Sequence, residues 1–279
     1  MRLRILTYNI RKGGKGRERE LAAVITACSP DIVVLQEATD PDVVSSLAAG
    51  TGMEQHGSRS GHSLGFLSRR KVQHVGWHQP RMSRHAFLEI QLVESETRIF
   101  GVHLSAVHAA WTEQRRTVEL RALLRAVAQH QEGFHVLTGD FNTLAPGDLL
   151  DVRKLPGRLR ALVWLSGGKV RWRTIQIVLD GGYLDAFRTK HPKEPGFTFP
   201  TWDPHVRLDY LFLPVRYTPQ LVSCAIMDVP GARDASDHLP LLSVLEVALA
   251  AGNEPPGMEN GKWEKGETSE ETSEETEVP

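Results

Sequence analysis

With only two cysteines, Cys28 and Cys224, in 279 residues, this chain lacks the means for a disulfide framework or a thiolate zinc site. A reducing cytoplasm is therefore the expected compartment. Long apolar runs are missing too. The best stretch, residues 241–251, is interrupted by Glu246 and falls well short of the roughly 20 residues a membrane span needs. Met1-Arg2-Leu3-Arg4 runs straight into strand-like alternation, with no separate apolar segment or small-residue cleavage site, so no signal peptide is expected. No repeat of domain size recurs, and the Gly-Gly-Lys-Gly turn at 13–16 lacks the spacing and trailing Lys-Ser/Thr of a phosphate-cradling loop. What is present, 41% hydrophobic and 24% charged residues, excludes collagen-like and largely disordered chains and fits one large domain or two small ones.

The net charge of −1 conceals an asymmetry. Residues 252–279 hold nine Glu and two Lys, which leaves 31 basic against 25 acidic side chains in 1–251. The segment 267–277 is an acidic Glu/Thr/Ser repeat without one apolar residue, so 252–279 is expected to be a disordered tail behind a folded body at 1–251. The mild positive charge of the body favours an anionic partner only weakly.

Residues 3–9 alternate as a strand, 20–28 carry helical spacing, and 31–37 form a continuous apolar run of the kind buried on both faces. Pro41 opens a short helix to 49. Strand-like pieces follow at 63–68, 72–77, 86–93 and 98–104, then an amphipathic helix at about 112–129 and a strand at 134–139. Residues 148–182 read as helical with Gly breaks. Three more strands lie near 208–213, 221–227 and 241–247. Such a mixture of βα units and hairpins predicts a mixed sheet, or two packed sheets with helices outside.

Several of these strands end in polar groups of one chemical kind. Asn9 ends the first and Gln36-Glu37 the second, His103 closes the 98–104 strand, and Gly139-Asp140-Phe141-Asn142 follows the strand after the long helix. Arg207-Leu208-Asp209-Tyr210 opens the next strand, and Ser236-Asp237-His238 precedes the last. Each alone has an ordinary explanation, as a turn, a cap or a strand meeting water. Their joint occurrence points to a site, because an α/β sheet projects its strand ends onto one edge. Carboxylates, amides and only two imidazoles suit a hard divalent cation, Mg²⁺ or Mn²⁺, better than zinc. A three-residue turn between 86–93 and 98–104 would also set Glu89 opposite His103; the alternative is a solvent-facing Glu.

Thr7-Tyr8-Asn9-Ile10, Gln36-Glu37, Val102-His103-Leu104, Gly139-Asp140-Phe141-Asn142, Arg207-Leu208-Asp209-Tyr210 and Ser236-Asp237-His238 together resemble the ordered motifs of the endonuclease/exonuclease/phosphatase superfamily. That group includes pancreatic-type DNases, abasic-site endonucleases, neutral sphingomyelinases and inositol polyphosphate 5-phosphatases. The resemblance runs from Thr7 to about Val247 and implies a four-layered α/β sandwich, two mixed β-sheets face to face flanked by helices. It implies a divalent-metal-dependent phosphoester hydrolase, with Glu37 as principal metal ligand and Asn9 and Asp237 in or near the metal shell. Asp140 would orient or deprotonate the attacking water, and Asn142 would hold a phosphate oxygen. His238 and Asp209 would form a His–carboxylate dyad, His103 would bond the phosphate or act as acid, and Thr198 would lie on the phosphate side. The chemistry itself asks for such a set: hydroxide must approach an already negative phosphorus centre, which requires charge neutralisation and a positioned base.

Residues 153–173 carry Arg153, Lys154, Arg158, Arg160, Lys169, Arg171 and Arg173 with no carboxylate, interleaved with Trp164 and Trp172. Arg171 and Arg173 are candidate substrate contacts. Basic and aromatic side chains together suit nucleic acid, and equally an anionic lipid surface. A nuclease acting on DNA or RNA phosphodiesters is thus the first reading. A hydrolase of phospholipid, inositol-phosphate or small phosphate esters is the alternative, and a non-catalytic binding module a remote third. Residues 105–111, mostly small and apolar, depart from the Arg- and Asn-bearing pattern of nucleases after the His103 motif.

Overall fold

The computed structural model describes residues 1–79, 86–105, 110–128, 133–148, 152–154 and 173–250. The expected disordered tail, Arg171 and most of the basic 153–173 segment lie outside these residues. The described strands make two six-stranded sheets.

In the first sheet, β1 (Arg2–Asn9) runs parallel to β2 (Ile32–Gln36) and antiparallel to β12 (Leu241–Glu246). Its full order is β11 (Leu221–Ile226), β12, β1, β2, β4 (Leu64–Ser68), β3 (Gln55–Ser58). The period of two sorts β1 cleanly: Leu3 and Ile5 face the second sheet, Leu6 and Tyr8 the outer layer. Strand β2 is apolar on both faces, as its continuous run predicts, with Ile32 and Val34 inward and Val33 and Leu35 outward. The outward set packs under α1 (Glu18–Cys28) and α2 (Pro41–Thr51). Helix α1 buries Leu21, Val24, Ile25 and Cys28 at i, i+3, i+4 and i+7. Helix α2 starts where the sequence says it should: Pro41 occupies its first turn and the Asp40 carboxylate accepts the Asp42 N–H at 3.0 Å.

The second sheet has the order β5 (Val72–His78), β6 (Phe87–Leu92), β7 (Arg98–His103), β8 (His135–Asp140), β10 (Asp209–Pro214), β9 (Tyr183–Asp185). Strands β7 and β8 are parallel and the other pairs antiparallel. Helices α3 (Ala110–Ala128) and α4 (Arg173–Asp180) cover its outer face, where Leu120, Leu123, Val127, Ile175 and Val178 meet Phe100, Val102, Leu137 and Phe212. Short helices α5 (Ala186–Lys190) and α6 (Ala232–Ala235) complete the described set. Between the sheets Ile5, Ile32, Val34 and Phe66 interdigitate with Leu88, Ile90, Ile99, Val136 and Leu211. The layers are therefore helix, sheet, sheet, helix, a four-layered α/β sandwich.

One register differs from expectation. Glu89 pairs with Phe100 and Gln91 with Arg98, three residues away from the alignment a three-residue turn would give. An odd shift turns Glu89 to the other face. It is neither beside His103 nor solvent-facing: it is buried, bonded to Arg98 and 2.6 Å from His78 Nε2.

Candidate functional site

The ladders carry the polar strand ends to one rim. Asn9 pairs with Gln36 across β1–β2, His103 with Asp140 across β7–β8, and Asp140 with Asp209 across β8–β10. The loop before β12 returns beside β1, where Ser236 Oγ donates to the Asn9 carbonyl at 2.6 Å and so brings Asp237 and His238 to the same rim. Gly139 permits the β7–β8 approach: its φ is 146°, and a side-chain carbon there would lie 1.9 Å from the Val102 carbonyl oxygen.

Asn9 sits at the centre. Its Oδ1 accepts the Arg11 N–H at 2.9 Å, which fixes the amide. Its Nδ2 then donates to Asp140 Oδ2 at 3.1 Å and to Glu37 Oε1 at 3.3 Å. Glu37 Oε2 accepts the Lys12 N–H at 2.5 Å. Glu37 and Asn142 both occupy the left-handed region, at φ 57° and 51°, where non-glycine residues are rare and their cost must be met by surrounding bonds. Those bonds are present. The Glu37 carbonyl accepts from Gly13 and Thr39 N–H. The Asn142 N–H donates to Asp140 Oδ1 at 2.8 Å, and its Nδ2 to the Leu104 carbonyl at 2.9 Å.

On the far side of Asp140, His238 Nδ1 lies 2.9 Å from Asp209 Oδ2, which leaves Nε2 3.9 Å from Asp140 Oδ2; His103 Nε2 is 4.0 Å from that same oxygen. The Phe199 ring packs on His238 with centroids 4.8 Å apart. Burial pushes the Asp140 carboxyl up to about 7, with His238 opposing and Asp209 reinforcing the shift. Burial works against a charged His238, but the Asp209 and Asp140 carboxylates outweigh it and lift the imidazole to about 10.

Ligand atoms of Asp140, Asp209 and His238 lie within 4.8 Å of one another. Asp209 Oδ1 and Asp237 Oδ1 are buried oxygens without a hydrogen-bond partner among the described residues. Buried anionic oxygens of this kind call for a cation or ordered water, and an oxygen-rich set suits a hard divalent ion. The residues fit such an ion.

The structure thus gathers Asn9, Glu37, His103, Asp140, Asn142, Asp209 and His238 as the sequence predicts. Asp237 joins them at the edge, its Oδ2 3.4 Å from Arg11 Nε. Thr198 is fully buried; its hydroxyl accepts the Leu208 N–H at 3.1 Å and its carbonyl accepts from Leu239, so it ties together the segments carrying Asp209 and His238. Arg173 opens α4 in an exposed position, with no hydrogen bond or ion pair to the rim among the described residues. Two further residues hold the rim together, the first without a signal in the sequence. Arg17 donates to the carbonyls of Ala235, Ile10 (2.9 Å) and Arg11 (2.5 Å), clamping the segment after β1 to the end of α6 from inside an ordinary basic turn. Ser236, inside the Ser-Asp-His motif, holds the His238 loop to β1. Trp202 is 67% exposed, and its ring meets edge-on, at 6.3 Å between centroids, the Phe199 ring that packs at a tilt on His238.

Solved structures share this fold. An AP endonuclease from Archaeoglobus fulgidus is 19% identical with a TM-score of 0.65, the match covering 88% of this chain and 100% of that one. The 3′ phosphatase NExo from Neisseria, bound to a product DNA hairpin, is 20% identical with a TM-score of 0.64, over 88% and 99% of the two chains. TDP2 from D. rerio, complexed with a single-strand DNA product, is 22% identical with a TM-score of 0.62, over the same shares. No curated protein sequence matches the chain. The sequence profile of the Endonuclease/Exonuclease/phosphatase family matches residues 6–238, and with the rim geometry above it shows that the chain belongs to this family of phosphoester hydrolases.

Proposed function

We propose that the protein hydrolyses nucleic-acid phosphodiesters with a divalent cofactor, Mg²⁺ or Mn²⁺. The observation that carries the substrate class is Trp202, an exposed indole set edge-on to the Phe199 ring that packs on His238, and so a surface beside the dyad on which a base can stack. The DNA products bound to two of the similar structures support it. Glu37 and Asp237 would hold the ion, which supplies charge neutralisation at the phosphate oxygens and acidifies water. Asn9 acts as the amide between Glu37 and Asp140, and its Oδ1, which accepts the Arg11 N–H, keeps a second lone pair for the metal shell. Asp140 orients the attacking water and takes its proton. His103 and the second Nδ2 hydrogen of Asn142 hold a non-bridging oxygen. His238, kept protonated by Asp209, meets the charge that builds on the phosphate.

The test is a substrate panel of plasmid, abasic duplex, single-stranded RNA, sphingomyelin, an inositol polyphosphate and a bis-aryl phosphodiester, run with Mg²⁺, Mn²⁺ and EDTA. Turnover of a nucleic acid, lost in EDTA and in a folded Glu37→Gln variant, is the expected result. Trp202→Ala should raise KM for nucleic acid and leave the aryl diester unchanged. A preference for the lipid or inositol substrates would overturn the nuclease reading.

A further inference from the structure

The outer face of β5 carries a second group of metal-binding side chains, far from the rim chemistry in both composition and surroundings. Residues 74, 76 and 78 share that face by the strand period, while Val75 and Trp77 pack inward on the inter-sheet core. Glu89, opposite Gly76 in the β5–β6 register, points the same way and is buried. Because residue 76 is glycine, space remains between these side chains. A methyl group at Gly76 would lie 2.9 Å from His78 Nε2, 3.2 Å from His74 Nε2 and 3.3 Å from Glu89 Oε2. Three donor atoms therefore surround the same space over Gly76, which no side chain among the described residues fills.

We propose that His74, His78 and Glu89 form a divalent transition-metal site of zinc type that staples the edge strand β5 to β6. Two imidazoles and one carboxylate are a set zinc favours, with a fourth position left to water. Half of the site is already assembled, His78 Nε2 being 2.6 Å from Glu89 Oε2. Arg98 holds the other carboxylate oxygen, Oε1, and so orients Oε2 toward the histidines, as outer partners of metal ligands do. The ion takes the place between His78 Nε2 and Glu89 Oε2 that a hydrogen bond now spans, and the exposed His74 closes in by rotating its side chain. Strand β5 ends its sheet, and an edge strand gains most from such a clip.

The experiment is Zn²⁺ titration of the full chain in excess Mg²⁺, which occupies the oxygen-rich rim, with Co²⁺ as a visible-spectrum probe and thermal unfolding alongside. One equivalent of Zn²⁺ should bind and raise Tm, and Co²⁺ should give the intense bands of a low-coordinate nitrogen/oxygen site. His74→Ala, at an exposed position, should weaken Zn²⁺ at least about tenfold. Gly76→Ala should do the same while keeping all three ligands, because its methyl group fills the space. Mg²⁺-supported phosphodiester turnover should be unchanged in both variants. Absence of a Zn²⁺ equivalent in excess Mg²⁺, or unaltered affinity in either variant, would overturn the proposal.

Discussion

Replacing Asn9 by leucine, close to it in shape, removes the one amide that lies between Glu37 and Asp140. The substitution deletes the 3.1 Å bond to Asp140 Oδ2 and the 3.3 Å bond to Glu37 Oε1. Hydrogen bonds to charged groups contribute about 1.5–3 kcal/mol each, and the longer of the two belongs at the weak end. The Arg11 N–H also loses its acceptor, but it is near solvent and water can replace Oδ1. The expected loss in EDTA is about 3–4 kcal/mol, or roughly 10 °C in Tm for a domain of this size. Saturating Mg²⁺ would bring positive charge to the same two carboxylates and should recover more than half of that deficit, whereas the wild-type Tm should rise less. Differential scanning of both proteins, with EDTA and with Mg²⁺, makes the comparison. A loss under about 1 kcal/mol in EDTA, or one that Mg²⁺ leaves untouched, would refute the bridging role of Asn9.

Three further outcomes follow from the same geometry. Asp209→Asn keeps the shape of the dyad but removes the charge that fixes the His238 tautomer and holds its proton; kcat should fall by roughly 10³–10⁴ with little change in Tm, and a drop below tenfold would displace the dyad from the reaction. Gly139→Ala sets a carbon 1.9 Å from the Val102 carbonyl; urea unfolding should show a loss of more than about 3 kcal/mol, and a soluble variant of wild-type stability would mean that β7 and β8 are less closely apposed. In EDTA, stability should fall as pH rises from about 4 to 10. Asp140 is raised from 3.8 to about 7 and His238 from 6.5 to about 10, and a group raised on folding stabilises below its unfolded value and loses that contribution on the way up to its folded one. Asp140→Asn should flatten the lower part of that decline in a pH series of melts.

The elements that can be read from the sequence are those whose burial is periodic. Strand β2 shows as a continuous apolar run because both faces are covered, and α1 shows by its i, i+3, i+4, i+7 spacing. Strand β3, Gln55-His56-Gly57-Ser58, pairs through its backbone at an edge and carries no apolar alternation, so nothing in its side chains announces a strand. Strand β9 is three residues long, too short for any period. The place of Glu89 is not legible, because hairpin register depends on a connection whose length the composition does not fix. At the site, ligand-type residues are legible by their positions at strand ends. The residues that hold those ends together are not: Arg17 reaches Ala235 across 218 positions. Arg207 is buried in bonds to Asp148 and Asp185, partners that no local spacing indicates.

The rim concentrates negative charge before any substrate arrives. Glu37, Asp140, Asp209 and Asp237 face two cationic groups, Arg11 beside Asp237 and the imidazolium of His238 beside Asp209. Neither lies on Glu37 or within hydrogen-bond distance of Asp140, where, among the described residues, the neutral amide of Asn9 and backbone N–H groups serve. A phosphodiester adds another negative charge to this end of the cavity. At about 4 Å, two like charges repel by about 4 kcal/mol at an effective dielectric of about 20, enough to weaken binding by roughly three orders of magnitude. Substrate affinity and cation occupancy must therefore be coupled. Removing the cation should raise Kd for a non-hydrolysable diester as well as stop turnover, and Asp140→Asn, which takes away one of the repelling charges, should soften that dependence in an equilibrium binding assay. Equal affinity with and without Mg²⁺ would show that the phosphate binds away from the Glu37–Asp140 end.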